Sequence, residues 1–260
     1  MSEPYEPDNL LDRRSDAATL QLHYDQEQRR ERALLGRRLG LDGGDVLSVG
    51  CGWHPGRHLF PAPAWRMTGV DLNPAMISHG LESGSLDSGV EGRAGELPFE
   101  VESFDAVLYR LVLHHIAFQG SLAPCFEEAA RLLRPGGAVV AIEPGLWHPV
   151  GAGLELANRV GLGTLVHGTP DDVPLSPVGL VREARAAGLE PELHAVTFGW
   201  RRLPPAVQRV LHRLDVLGSR PRLARFGHTL LLIARRYSTI GMPRSRSTGG
   251  SPATVQPSRS

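Results

Sequence analysis

Val46-Leu-Ser-Val-Gly50-Cys51-Gly52 is a short apolar run that ends in a Gly-x-Gly turn. Such a run, bounded by glycine, reads as a parallel strand buried on both faces. Glycines at its end permit positive φ and let a ligand approach the backbone. Twenty-one residues after Gly50, Asp71 ends a second run, Met67-Thr-Gly-Val-Asp71. A carboxylate there can accept hydrogen bonds from two vicinal ribose hydroxyls. Strand, turn, spacing and acid together predict a nucleoside-bearing ligand at the carboxyl ends of parallel strands.

The pattern outward from this turn is an alternation of strands and helices. A helix spans 17–39, and a second opens at Asn73-Pro74, with asparagine as cap and proline at the first position. Short strands are expected near Val90–Arg93, at Phe104–Tyr109 and at Ala138–Glu143, with a helix over 121–134 that stops at Pro135-Gly136-Gly137. Residues 144–176 are Gly/Pro-rich, with one helix at 150–160. A helix over Pro177–Ala187, strands at Glu192–Phe198 and His228–Arg235, and a helix-like stretch at Pro204–Leu217 complete the pattern. Residues 1–16 are polar and read as a flexible N-terminus; residues 238–260 lack a core pattern and read as a disordered tail. The folded domain is then 17–237, with 144–176 and 199–227 as acceptor-side insertions or a lid. Alternation of this kind predicts an α/β fold with a mostly parallel sheet and helices on both faces.

Composition excludes several chemistries. The 260 residues include no lysine: all 28 basic Lys/Arg positions are arginine. A side-chain Schiff base is therefore impossible, and the lysine of phosphate-binding loops is missing. Two cysteines, Cys51 and Cys125, make no disulfide framework. With no signal-peptide pattern, they point to a reducing, cytoplasmic setting. No apolar run approaches the roughly 18 residues a spanning helix needs. The formal net charge is zero, but residues 201–260 carry 12 arginines and one acid, Asp215. Such asymmetry marks a basic surface or tail.

Gly50-x-Gly52-x-x-x-Gly56 by itself fits a variant dinucleotide fingerprint or an S-adenosylmethionine site. Four stretches in order narrow this: 46–52, Gly-Val-Asp-Leu-Asn-Pro-Ala-Met (69–76), Gly-Glu-Leu-Pro-Phe with Ser-Phe-Asp-Ala-Val-Leu (95–108), and Leu-Arg-Pro-Gly-Gly-Ala-Val-Val-Ala-Ile-Glu-Pro (133–144). With them the chain resembles the class I S-adenosylmethionine-dependent methyltransferases, in the small-molecule group related to quinone-biosynthesis methyltransferases. The resemblance covers 40–145 well and 175–236 loosely. It implies a Rossmann-like seven-stranded sheet whose last two strands form an antiparallel hairpin. It places Gly50, Cys51 and Gly52 beneath the methionine and ribose of the cofactor, Asp71 on the ribose and Leu72 on the adenine. Ala94, Gly95 and Glu96 flank the adenine edge, and Tyr109, Arg110 and Leu111 lie beside the carboxylate and sulfonium. The sequence departs from the family at Ser48, often an acid; at His54, where a third glycine is usual, with Gly56 two later; and at Arg93, often an aspartate.

Methyl transfer needs alignment, and a base when the nucleophile is a hydroxyl or an acidic carbon. The resemblance places a histidine at His115, and Glu143 ends the fifth strand; these are the candidate catalytic residues, each with a loop-anchoring alternative. His148 and His167 are expected to wall an acceptor pocket, and Tyr24 is a candidate to cap the cofactor. Asp171-Asp172 lacks the companions of a metal site, and no metal is expected. Val207, Val210, Leu211, Leu214 and Leu217 line one helical face opposite Gln208, Arg209, His212 and Arg213. That face suits a helix on the core, a basic wall for an anionic acceptor, or a peripheral membrane contact through 201–225. No nucleic-acid signature accompanies it. The expected activity is methyl transfer to oxygen or carbon of a small-molecule or lipid-like acceptor. The alternatives are a nicotinamide-dependent oxidoreductase and a non-catalytic accessory protein of the same fold.

Overall fold

Neighbouring residues of a strand face opposite ways, so a strand with two apolar sets can close a core on each side. The computed structural model, which describes residues 16–162 and 173–237, is built on this rule. In chain order it contains α1 (Ala17–Arg38), β1 (Gly44–Val49), β2 (Trp65–Asp71), α2 (Pro74–Glu82), β3 (Ser88–Glu91), β4 (Phe104–Arg110), α3 (Leu113–Gln119), α4 (Ala123–Leu132) and β5 (Leu133–Pro144). There follow α5 (Pro149–Arg159), α6 (Pro177–Ala186), β6 (Glu190–Thr197), α7 (Pro205–Leu214), a 3-10 turn (Asp215–Ser219), α8 (Pro221–Ala224) and β7 (Thr229–Arg235).

The seven strands form one sheet in the order β3-β2-β1-β4-β5-β7-β6. The β1–β2, β1–β4, β2–β3 and β4–β5 pairs are parallel, and β7 runs antiparallel to both β5 and β6. The expected parallel sheet with a terminal antiparallel hairpin is thus present. On one face Leu47, Val49, Val107 and Tyr109 pack with Phe126 of α4 and Leu180 and Ala184 of α6. On the other, Val46, Ala106, Leu108 and Val140 pack with Leu34 and Leu35 of α1 and Ile77 of α2. Each fully buried Leu, Val or Phe contributes about 1.5–3 kcal/mol.

Several elements differ from expectation, most of them by one to three residues at an end. β5 starts at Leu133, before Pro135-Gly136-Gly137, because a register irregularity opposite Phe104–Ala106 lets the chain pass from helix to strand through that turn. β3 lies two residues earlier than expected, and α3 was not expected at all. Of the N-terminal stretch 1–16 read as flexible, Asp16 caps α1 by accepting from Thr19 N–H, while residues 1–15, His167, Asp171-Asp172 and 238–260 fall outside the described residues.

Register carries the fold to its site. Val49 pairs with both Val70 and Tyr109, and Arg110 pairs with Ile142. Gly50, Asp71, Arg110 and Glu143 therefore emerge along one sheet edge. β1 sits where the strand order turns from β2 on one side to β4 on the other. Open α/β sheets bind ligands at that switch point, outside the carboxyl ends.

Candidate active site

The glycine turn is shaped by close approach. Gly50 has φ +62°, and a Cβ there would lie 2.3 Å from Val112 Cγ2. Gly52 has φ +48°, and a Cβ there would meet only Gly50 O, at 4.0 Å. Above Gly52 the backbone thus faces open space. Cys51 donates its N–H to Val70 O at 3.0 Å and turns its thiol into the core. Burial, reinforced by Asp71, pushes that thiol up to about 12, so it stays protonated. The Trp53-His54-Pro55 insert is held down by Ser48, whose hydroxyl donates to Pro55 O at 2.9 Å. Gly56 then re-enters at φ +87° beneath Leu108. Ser48 and Gly56 thus hold the end of the insert that carries His54.

Asp71 is half-buried. One carboxylate oxygen accepts from Gly52 N–H and the other from Asn73 N–H, both at 2.9 Å. A carboxylate has about four lone-pair sites, so roughly two remain for a diol. Asn73 in turn caps α2 by accepting from Ala75 N–H at 3.0 Å. Leu72 and Leu111 present exposed apolar side chains, 62% and 45% accessible, at the ends of β2 and β4. Leu111 holds φ +55°, a strained conformation of the kind that gathers at functional sites. Ala94, Gly95 and Glu96 form a turn, with Glu96 N–H donating to Arg93 O at 3.0 Å. Both Arg93 and Glu96 side chains are exposed.

Two expected placements need correction. Tyr109 does not turn its ring to the cofactor edge: it is fully buried in the opposite core and donates its hydroxyl to Cys125 O at 2.9 Å. Only its backbone reaches the site. Glu143 is fully buried and its oxygens are engaged by the protein. They accept from Val112 N–H at 3.0 Å, Leu113 N–H at 2.8 Å and His114 N–H at 3.4 Å, and lie 2.7 Å from His114 Nδ1. This is a carboxylate cap on α3, placed where a helix N-terminus favours negative charge. It sets Val112 over Gly50 and orients the His114–His115 pair, whose rings lie 4.0 Å apart. His115 itself is half-buried in the first turn of α3.

α1 closes the edge with polar groups that the sequence analysis did not single out. His23, Glu27 and Glu31 fall four residues apart on one helical face, and all are buried. Glu31 pairs with Arg110 at 3.4 Å and with His58 Nε2 at 2.9 Å. Burial alone would raise Glu31, but Arg110 and His58 outweigh it and hold the carboxyl below its usual range. Glu27 accepts from the Thr229 hydroxyl at the start of β7. Burial, with the Glu31 charge added, pushes it up to about 7. The signal was present: Leu20, Glu27, Glu31 and Leu34 share one stripe, and acids on an apolar stripe face inward. Tyr24, half-buried, stands edge-on to His23 with ring centroids 5.6 Å apart. His148 lies perpendicular to His228 at 5.2 Å, which brings the residues just before α5 to the same corner.

The basic segment takes an unexpected pose. In α7 Gln208 turns inward, its amide donating to Arg201 O and Leu203 O at 3.0 and 2.8 Å. Val207, Val210 and Leu214 are 43%, 56% and 45% exposed, so the apolar face looks outward beside exposed Arg209 and Arg213.

Residues 47–141 match the family model described as a methyltransferase domain. The demethylmenaquinone methyltransferase of Tropheryma whipplei is 32% identical over 111 residues, 41% of this chain and 45% of that protein. The phthiotriol/phenolphthiotriol dimycocerosates methyltransferase of Mycobacterium leprae is 36% identical over 132 residues, 48% of this chain and 43% of that one. The chain thus spans somewhat under half the length of these curated relatives. Among solved structures, an S-adenosylmethionine-dependent methyltransferase from Thermotoga maritima superposes with a TM-score of 0.58 at 18% identity, covering 84% of this chain and 91% of the other. That likeness concerns the fold.

Proposed function

Because residues 47–141 are a class I S-adenosylmethionine-dependent methyltransferase domain, we propose that this chain transfers a methyl group to an oxygen or carbon of a small-molecule or lipid-like acceptor. The observation that carries the reading is the Asp71–Gly52 cradle: a half-buried carboxylate with lone pairs to spare beside a glycine facing open space. S-adenosylmethionine supplies, when bound, a methyl group already activated on a sulfonium. The chain's part is to hold and align.

In this reading the backbone of Gly50, Cys51 and Gly52 lies under the methionine and ribose, and Asp71 accepts from the ribose hydroxyls. Leu72 covers the adenine, with Ala94, Gly95 and Glu96 along its edge. Leu111 and the backbone of Tyr109 flank the methionyl end. Arg110, held by Glu31, keeps a fixed positive charge there. His115 is the candidate base for a hydroxyl or an acidic carbon, and Glu143 is its positioning residue through α3. Alignment of donor and acceptor supplies most of the rate, so a base of modest strength suffices.

The acceptor class draws support from the relatives, whose names specify demethylmenaquinone and phthiotriol dimycocerosates, both lipid-like. The outward apolar face of α7, rimmed by arginines, suits peripheral contact of 201–225 with an anionic membrane surface. No helix among the described residues is long and apolar enough to cross a membrane.

Calorimetry with S-adenosylmethionine, S-adenosylhomocysteine and NADH tests the cofactor assignment. Binding of both sulfur ligands and not of NADH is expected, and the reverse pattern overturns the proposal. Co-sedimentation with anionic liposomes at low salt tests the surface; the protein remaining in the supernatant removes that contact.

A further inference from the structure

His23 and Glu27 are one helical turn apart on α1, and His228 enters from the residue before β7. A donor atom from each lies within 4.8 Å of the other two. Among the described residues this is the one His/Cys/Asp/Glu group with such convergence. His23 and Glu27 are buried, and His228 is half-buried. His23 Nε2 stands 3.9 Å from Glu27 Oε2. In a tetrahedral metal set with bonds near 2.0–2.1 Å, donors lie about 3.3 Å apart. Binding of an ion would draw the three side chains inward by that difference.

Thr229 organises the group. Its hydroxyl has a single proton, and the Glu27 carboxylate takes it. His228 Nδ1 lies 3.3 Å from the same Thr229 oxygen, which leaves Nδ1 as the donor there. This fixes His228 in the Nδ1–H tautomer, with the lone pair on Nε2. Ligating histidines typically carry such an outer hydrogen bond, which sets tautomer and ring orientation. The nearby positive groups are Arg110, already held by Glu31 at 3.4 Å, and Arg201.

From this arrangement we propose that His23, Glu27 and His228 form a binding site for a divalent first-row transition metal of the zinc class. Two imidazoles and one carboxylate are a ligand set that such ions take, with coordination positions left over. Those positions accept water or an acceptor oxygen, and a hydroxyl bound to the ion ionises more readily. The role at the acceptor rests on the methyl-transfer reading; occupancy by metal does not.

The test uses the full chain without an affinity tag, stripped with chelator and titrated with Co(II) and with Zn(II). Expected are one ion per chain by calorimetry, a visible d–d absorption band with Co(II), and a higher melting temperature with Zn(II). Glu27→Gln and His228→Ala should each weaken binding at least 100-fold and abolish the band. Thr229→Val should weaken it about 10–100-fold, as for an outer-shell partner. Circular dichroism shows whether each variant is folded; should one fail to fold, the wild-type band and melting shift still decide. Neither band nor melting shift in the wild type overturns the proposal, as does equal Co(II) binding by wild type and Glu27→Gln. S-adenosylhomocysteine binding, measured separately through Asp71, reports on the cofactor site alone.

Discussion

Removing the Asp71 carboxylate tests the cradle most directly. In Asp71→Ala the ribose loses two charge-assisted hydrogen bonds, each worth about 1.5–3 kcal/mol. Water enters the half-buried space and recovers part of this. The net loss expected is about 1.5–3 kcal/mol, or roughly 10- to 150-fold in dissociation constant. The fold should hardly respond. The two donors that the carboxylate receives, Gly52 N–H and Asn73 N–H, sit on half-buried and exposed residues that water can reach. Calorimetry with S-adenosylhomocysteine gives the primary number. Its 2′-deoxy analogue completes a double-mutant cycle: the missing hydroxyl should weaken binding to the wild type and barely matter to the variant. An affinity within about threefold of wild type, or the same deoxy penalty in both proteins, would refute the ribose assignment.

Three other outcomes follow from contacts around the site. Glu143→Gln keeps one acceptor oxygen but loses the charge that caps α3, so folding stability should drop by about 1.5–3 kcal/mol in urea titrations; unchanged stability with lost turnover would instead make Glu143 a catalytic group. Gly50→Ala adds a methyl 2.3 Å from Val112 Cγ2 at φ +62°, for a cost of about 2–4 kcal/mol. Pairing it with Val112→Ala should recover part of that loss, and simple additivity would contradict the contact. Burial pushes Asp215 up to about 6 from 3.8, so the fold binds a proton that the unfolded chain releases. Its stabilising contribution is full below pH 3.8 and lost as pH rises through 6, a swing of up to roughly 3 kcal/mol. Asp215→Asn keeps an acceptor for Phe198 N–H without the charge. Its stability relative to wild type should therefore rise between pH 4 and pH 7, and a flat difference would disprove the burial effect.

What could be read from sequence depended on whether its cause was local. β1, β4 and β5 each contain a short apolar run, and Asn73-Pro74 is a helix start in two residues; each element carries its own reason. The turn at Gly50–Gly52 and its acid at Asp71 were legible for the same reason. α3 was not, because its cap is Glu143, about thirty residues away. Tyr109 looked like a site residue since it ends β4, but the strand's alternation sends its ring to the far core. Glu27 and Glu31 were not singled out because their partners, Thr229, Arg110 and His58, come from distant parts of the chain. The helix at 205–214 had the expected two-faced pattern, and only packing revealed which face was turned to solvent.

The position of β7 has a consequence for how the chain is made. β5 is buried along most of its length, and β6 joins the sheet only through β7. Among the described strands of this sheet, β7 is also the last to leave a ribosome. Until residues 229–235 emerge, β5 keeps a bare hydrogen-bonding edge and β6 has nothing to pair with. Such an edge is a template for pairing with other chains. The half of the sheet that carries the glycine turn can assemble early, while the β5-β7-β6 half is completed last. A nascent chain stalled before Thr229 is therefore the form of this protein most exposed to aggregation.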